Sequence, residues 1–109
     1  MDQEIQRYLS KYPESIQTLF LQLRKLLLES TDIPTEEMLW AKLPSYYAGE
    51  KFVRLIPFKD HINIEAKAVL SHKRDLMDYK ITPKGMLQIF LQQPIPVDVL
   101  TEIYKETLQ

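Results

Sequence analysis

LPSYYAGEKFVRLIPFKDHINIEA, running from Leu43 to Ala66, reads as two antiparallel hairpins in succession and decides the fold class. Lys51 to Phe58 is rich in β-formers, and His61 to Glu65 alternates, with Ile62 and Ile64 on one face and His61, Asn63 and Glu65 on the other. Lys59-Asp60 makes the tight connection, with Asp60 supplying turn chemistry. Pro57 cannot donate to a strand ladder, which assigns it to a strand end or edge. Pro44 and Gly49 punctuate two shorter extended pieces, and Met38-Leu39-Trp40-Ala41 opens the sheet before them.

Outward from this stretch the period changes. Asp2 to Lys11 predicts a short helix capped by Asp2, with Ile5, Tyr8 and Leu9 on one side. Pro13 suits the first turn of a second helix reaching about Ser30, along which Ile16, Leu19, Phe20, Leu23, Leu26 and Leu27 form a broad apolar stripe. Leu21 and Leu28 fall off that stripe. Ala66 to Asp78 predicts an amphipathic helix, with Val69, Leu70, Leu76 and Met77 inward and His72, Lys73 and Arg74 facing water. Thr82-Pro83-Lys84-Gly85 turns the chain into a strand from Met86 to Leu91, and Pro96 opens a last helix with Val99, Leu100, Ile103 and Tyr104 as its core side. The expected architecture is α+β: one domain over residues 1–109, with an antiparallel sheet of about five or six strands and the terminal helices packed on one face.

The composition narrows the chemistry. At 109 residues, 45% hydrophobic and 27% charged, the chain has the profile of one folded domain. Fourteen basic and 15 acidic side chains, net −1, form no basic block of the kind that binds phosphate backbones, so nucleic acid is not an expected partner. The absence of cysteine excludes thiolate nucleophiles and sulfur-ligated zinc. No signal-peptide pattern or membrane span is read, and a cytoplasmic location is expected. With only Gly49 and Gly85, no dinucleotide fingerprint can be built, and no G-x-S-x-G occurs. A binding role is therefore expected ahead of an enzymatic one.

Three constellations remain. Tyr46, Lys59, His61 and Lys84 are candidate contacts to a small anionic ligand, in a wider set of cations (Lys42, Arg54) and aromatics (Trp40, Tyr47) in or beside strands. Glu29, Asp32, Glu36 and Glu37 cluster at a helix–strand junction, and hard oxygen donors suit iron, magnesium or calcium, with Glu36 and Glu37 as the candidate metal ligands. A Ser-His-acid triad can be drawn from Ser45, His61 and a carboxylate, but nothing local orders them as nucleophile and base. His72, among basic residues, reads as solvated surface.

Tyr12-Pro13-Glu14, Pro44-Ser45-Tyr46-Tyr47, Phe58-Lys59-Asp60-His61-Ile62, Thr82-Pro83-Lys84-Gly85, Gln88 and Pro94-Ile95-Pro96, in this order and spacing, resemble the YdhG-like family of small bacterial domains of unknown function. The resemblance covers nearly the whole chain. It implies a frataxin-like α+β fold and an expected role as an intracellular iron chaperone passing ferrous iron to an accepting protein. Members of that family often place a glycine where this chain has Lys42, and their usual aromatic lies one place further on than Trp40. Two further expectations stand beside iron: a small-anion module using Tyr46, Lys59, His61 and Lys84, and a protein–protein adaptor, monomer or weak homodimer, presenting Leu21 and Leu28.

Overall fold

The computed structural model describes all of residues 1–109. Two helices, α1 (Gln3–Leu9) and α2 (Glu14–Ser30), precede four strands, β1 (Glu36–Trp40), β2 (Leu43–Ala48), β3 (Lys51–Pro57) and β4 (His61–Ala66). A 3-10 segment (Lys67–Leu76), strands β5 (Lys80–Ile81) and β6 (Leu87–Phe90), and helix α3 (Val97–Leu108) complete the chain. The six strands form one antiparallel sheet in the order β1-β2-β3-β4-β6-β5, so the expected α+β architecture holds.

Local chemistry accounts for the boundaries. Asp2 caps α1, its Oδ1 accepting from the amides of Glu4 (2.9 Å) and Ile5 (3.1 Å). Pro13 sits at the N-cap of α2 rather than within its first turn. The β1–β2 hairpin closes through Ala41 and Lys42, both left-handed at φ 49° and 65°, the pair of positive values that a two-residue type I′ connection demands.

One hydrophobic cluster of 21 buried residues fills the space between sheet and helices. It takes Ile16, Phe20, Leu23 and Leu27 from α2, Leu100, Ile103 and Tyr104 from α3, and the inward parity of the strands: Tyr46, Val53, Leu55, Ile62, Ile64, Leu87 and Ile89. The register then fixes the opposite parity as rows across the other face. One row runs Met38, Ser45, Arg54, Glu65; beside it Trp40 pairs with Leu43, and Ile56, Asn63, Gln88 and Lys80 form a row across β3, β4, β6 and β5.

The expected helix from Ala66 to Asp78 is corrected. Lys67–Leu76 is 3-10 and kinks at His72 (φ −112°, ψ 19°). With three residues per turn, His72 lines up behind the buried Val69 instead of facing water. Its Nε2 bonds the Glu106 carboxylate of α3, and Asp75 stands 3.9 Å from Nδ1. Leu70 and Met77, assigned inward by a 3.6-residue period, are 54% and 83% exposed. The short β5, absent from the sequence reading, pairs back on β6 across the Thr82–Gly85 turn.

Candidate functional site

No helix covers the outer face of the sheet, and its own side chains close it instead. Arg54, 6% exposed, lies at the centre of that face with its guanidinium carbon 3.8 Å from the Phe52 ring centroid and 4.2 Å from that of Trp40. Its nitrogens donate to Ser45 Oγ (3.1 Å), Tyr47 Oη (2.8 Å) and Glu65 Oε1 (3.2 Å). A planar cation clamped between rings with every edge satisfied is the geometry for which arginine is suited and lysine is not. Trp40, Tyr47 and Arg54, near one another in the sequence reading, are thus brought together, but as a closed cluster. Tyr46 lies on the opposite, helix-covered side and is fully buried.

At one end of the same face His61 is sandwiched between Phe58 (centroids 4.6 Å apart, planes 5°) and Phe90 (4.7 Å, 27°). Its Nδ1 meets Asp60 Oδ1 at 2.7 Å. Asp60 therefore orients the imidazole as well as forming the turn. Ser45, the possible nucleophile, has its hydroxyl committed to the Leu43 carbonyl and to Arg54. Its register partner on β4 is Glu65, four residues or about 13 Å along the strand from His61, so no Ser–His pair forms.

The carboxylate pair is divided by strand parity. Glu36 and Glu37 are neighbours in β1 and point to opposite faces. Glu37 is consumed on the helix side: Oε2 accepts from Arg24 Nε at 2.6 Å and Oε1 from the Asp2 amide at 2.7 Å. Burial alone would raise the Glu37 pKa, but these hydrogen bonds and the guanidinium charge hold it below the usual carboxylate range. Tyr46 stands behind this pair, where burial and the Glu37 carboxylate push its ionisation far above the ordinary tyrosine value. The Tyr46 hydroxyl meets no partner at hydrogen-bond geometry. Glu29 pairs with Lys25 at 3.8 Å. No group of three or more His, Asp or Glu side chains is placed to hold a metal ion, and the residues expected to bind iron do not fit that role.

A cleft of about 520 Å³ opens at the other end of the sheet, where β3 begins and β4 ends. Lys51 approaches from the β2–β3 hairpin, Lys67 from the start of the 3-10 segment and Lys84 from the β5–β6 turn; Phe52, Ala66 and Leu70 supply its apolar wall. None of the three lysines has an ion-pair partner. Of the two lining carboxylates, Glu65 is held by Arg54 and Glu50 is free. Three lysines thus line the cleft beside one uncompensated carboxylate. The turn that presents Lys84 is firmly built: the Gly85 amide donates to Thr82 O (2.8 Å), and the Met86 amide to Thr82 Oγ1 (3.1 Å). Gly85 takes φ 87°, a conformation that a side chain would strain.

The expected anion quartet is therefore not assembled. Lys59 and His61 lie at the start of β4 and Lys84 beside its end, roughly 16 Å apart along the strand, while Tyr46 is on the other side of the sheet. Only Lys84 lines the principal cleft. Lys51 and Lys67 were not singled out from the sequence, and the signal that could have found them is topological: antiparallel pairing brings the β2–β3 tip, the end of β4 and the β5–β6 turn to one end of the sheet. Leu21 and Leu28 are exposed on α2, as their positions off the stripe imply. No helix is long and apolar enough to cross a membrane. Against known proteins, no family model, no curated protein and no solved structure matches the chain.

Proposed function

We propose that this protein is a binding module for a small anionic ligand, seated in the cleft of Lys51, Lys67 and Lys84. The observation that carries this reading is the convergence of three unpaired lysines on one cleft, where the other principal clefts hold at most one lysine each. Ammonium groups gathered around one cleft without counterions repel one another, and an anion that joins them relieves that repulsion while gaining charge-assisted hydrogen bonds. The reading keeps the anion expectation and moves its site from Lys59 and His61 to the opposite end of the sheet. It is favoured over iron carriage because Glu37 is consumed by Arg24 and Glu36 faces away from it.

Titration calorimetry with inorganic phosphate at low ionic strength tests it. Saturable binding is expected, weakening as salt screens the lysines, and Lys84→Gln is expected to lower affinity about fivefold, the effect of removing one exposed charge contact. Binding that is absent, or unchanged in the Lys51→Gln, Lys67→Gln, Lys84→Gln triple variant, overturns the reading.

A further inference from the structure

The cleft has a second wall that an inorganic anion would leave unused. We infer that its ligand is an amphiphilic anion: a phosphate- or carboxylate-bearing molecule whose apolar, preferably aromatic, body lies along Phe52 and Leu70 while its charged group meets the lysines. This inference rests on the anion reading of the same cleft and adds the class of ligand.

Four features support it. At about 520 Å³ the cleft is far larger than phosphate needs and falls within the ~300–1,000 Å³ of sites for organic molecules. Leu70 is 54% exposed, although Val69 beside it and Leu76 further along the same segment are buried in the core. It is the one large aliphatic side chain of the cleft, and covering it would remove apolar surface from water. The missing side chain of Gly85 extends this wall. A Cβ built there would make ordinary van der Waals contact with Leu70, 3.5 Å from its Cδ1, so the turn backbone stands about one methyl group from the leucine and borders the same apolar surface.

Thr107 contributes the fourth feature, from α3. It is 6% exposed, lines the cleft, and its Oγ1 accepts from the Ala68 amide at 3.1 Å, while its own proton reaches no acceptor in the protein. A buried hydroxyl with a free proton is a directed donor for a ligand oxygen. Phe52, which also lines the cleft, is held in place by the Arg54 guanidinium at 3.8 Å from its ring centroid and by the Tyr47 ring at 5.6 Å. Lysines and apolar side chains thus line one concavity together, as a ligand with a charged head and a ring requires.

Competition between phenyl phosphate and inorganic phosphate, read by calorimetry on the wild-type chain and on Leu70→Ser, tests the inference. Phenyl phosphate is expected to bind about tenfold more tightly than inorganic phosphate, and Leu70→Ser, at a solvent-facing position that does not endanger the fold, to erase most of that ratio. Equal affinity for the two probes overturns the amphiphilic ligand and leaves the anion reading standing. A preference for phenyl phosphate that survives Leu70→Ser also overturns it, since the ring would then rest elsewhere. Failure of both probes to bind overturns the anion reading together with this one.

Discussion

The bare sheet face and the lysine cleft adjoin each other and share Phe52 and Glu65, yet their charges have opposite fates. On the face, Arg54 meets a hydroxyl, a phenol, a carboxylate and two rings, and His61 meets a carboxylate and two rings. Arg54 is thereby committed to its neighbours through all three of its nitrogens. In the cleft, Lys51, Lys67 and Lys84 have no ion-pair partner at all. A charge that the fold satisfies stabilises the fold; charges gathered in a concavity and left unsatisfied are available for binding. Residue type alone would reverse this judgement, because the face holds the residues most often associated with recognition: tryptophan, tyrosine, arginine and histidine.

The comparison makes mutational effects on stability and on binding separable. The largest stability loss is expected for Arg54→Ala, about 3 kcal/mol by urea denaturation, because Glu65 and the Ser45 and Tyr47 hydroxyls lose their partner and a void opens between Trp40 and Phe52. A loss under about 0.5 kcal/mol, the size of an ordinary surface change, would break the claim that the cluster is structural.

Glu37→Gln follows at about 2 kcal/mol near pH 7, since its carboxylate joins Arg24 to the Asp2 amide. Its pKa is lowered in the folded chain, so its contribution is complete above the unfolded-state value of about 4.3 and is lost as pH falls through the lower folded value. The difference between wild type and Glu37→Gln is therefore expected to shrink below about pH 4, measured by denaturation across a pH series. A constant difference would show that shape rather than charge holds this junction.

Lys42→Gly is expected to change stability in the other direction, by about +1 kcal/mol, because Lys42 stands at φ 65° in the β1–β2 turn and glycine relieves that strain. Lys42 is also unpaired but lines none of the principal clefts, so the substitution is expected to leave phosphate affinity unaltered. Smallest in stability is the Lys51→Gln, Lys67→Gln, Lys84→Gln variant, within about 0.5 kcal/mol of wild type, yet it is expected to lose phosphate binding altogether.

Much of the fold was legible in the sequence because alternation and helical period are local signals. Ile62 and Ile64 against His61 and Asn63 placed β4 correctly, and the Ile16-to-Leu27 stripe placed α2 against the core. The 3-10 segment was misread because Val69, Leu70, Leu76 and Met77 fit a 3.6-residue period, whereas docking on α3 through His72 and Glu106 imposes a tighter winding. The site was less legible for a related reason. Parity separates Tyr46 from His61 across the sheet, and register brings Lys84 to Lys51 and Lys67 from 33 and 17 residues away. Neither fact is contained in a short window of sequence.

The most direct test of the central claim is a phosphate titration followed in amide proton–nitrogen correlation spectra of the wild-type chain. The account predicts saturable shifts confined to the cleft, at Glu50–Phe52, Glu65–Leu70, Lys84–Gly85 and Thr107, with the amides of Tyr47, Arg54, His61 and Phe90 unmoved. Shifts centred on Arg54 or His61, or no saturation at any amide, would contradict it.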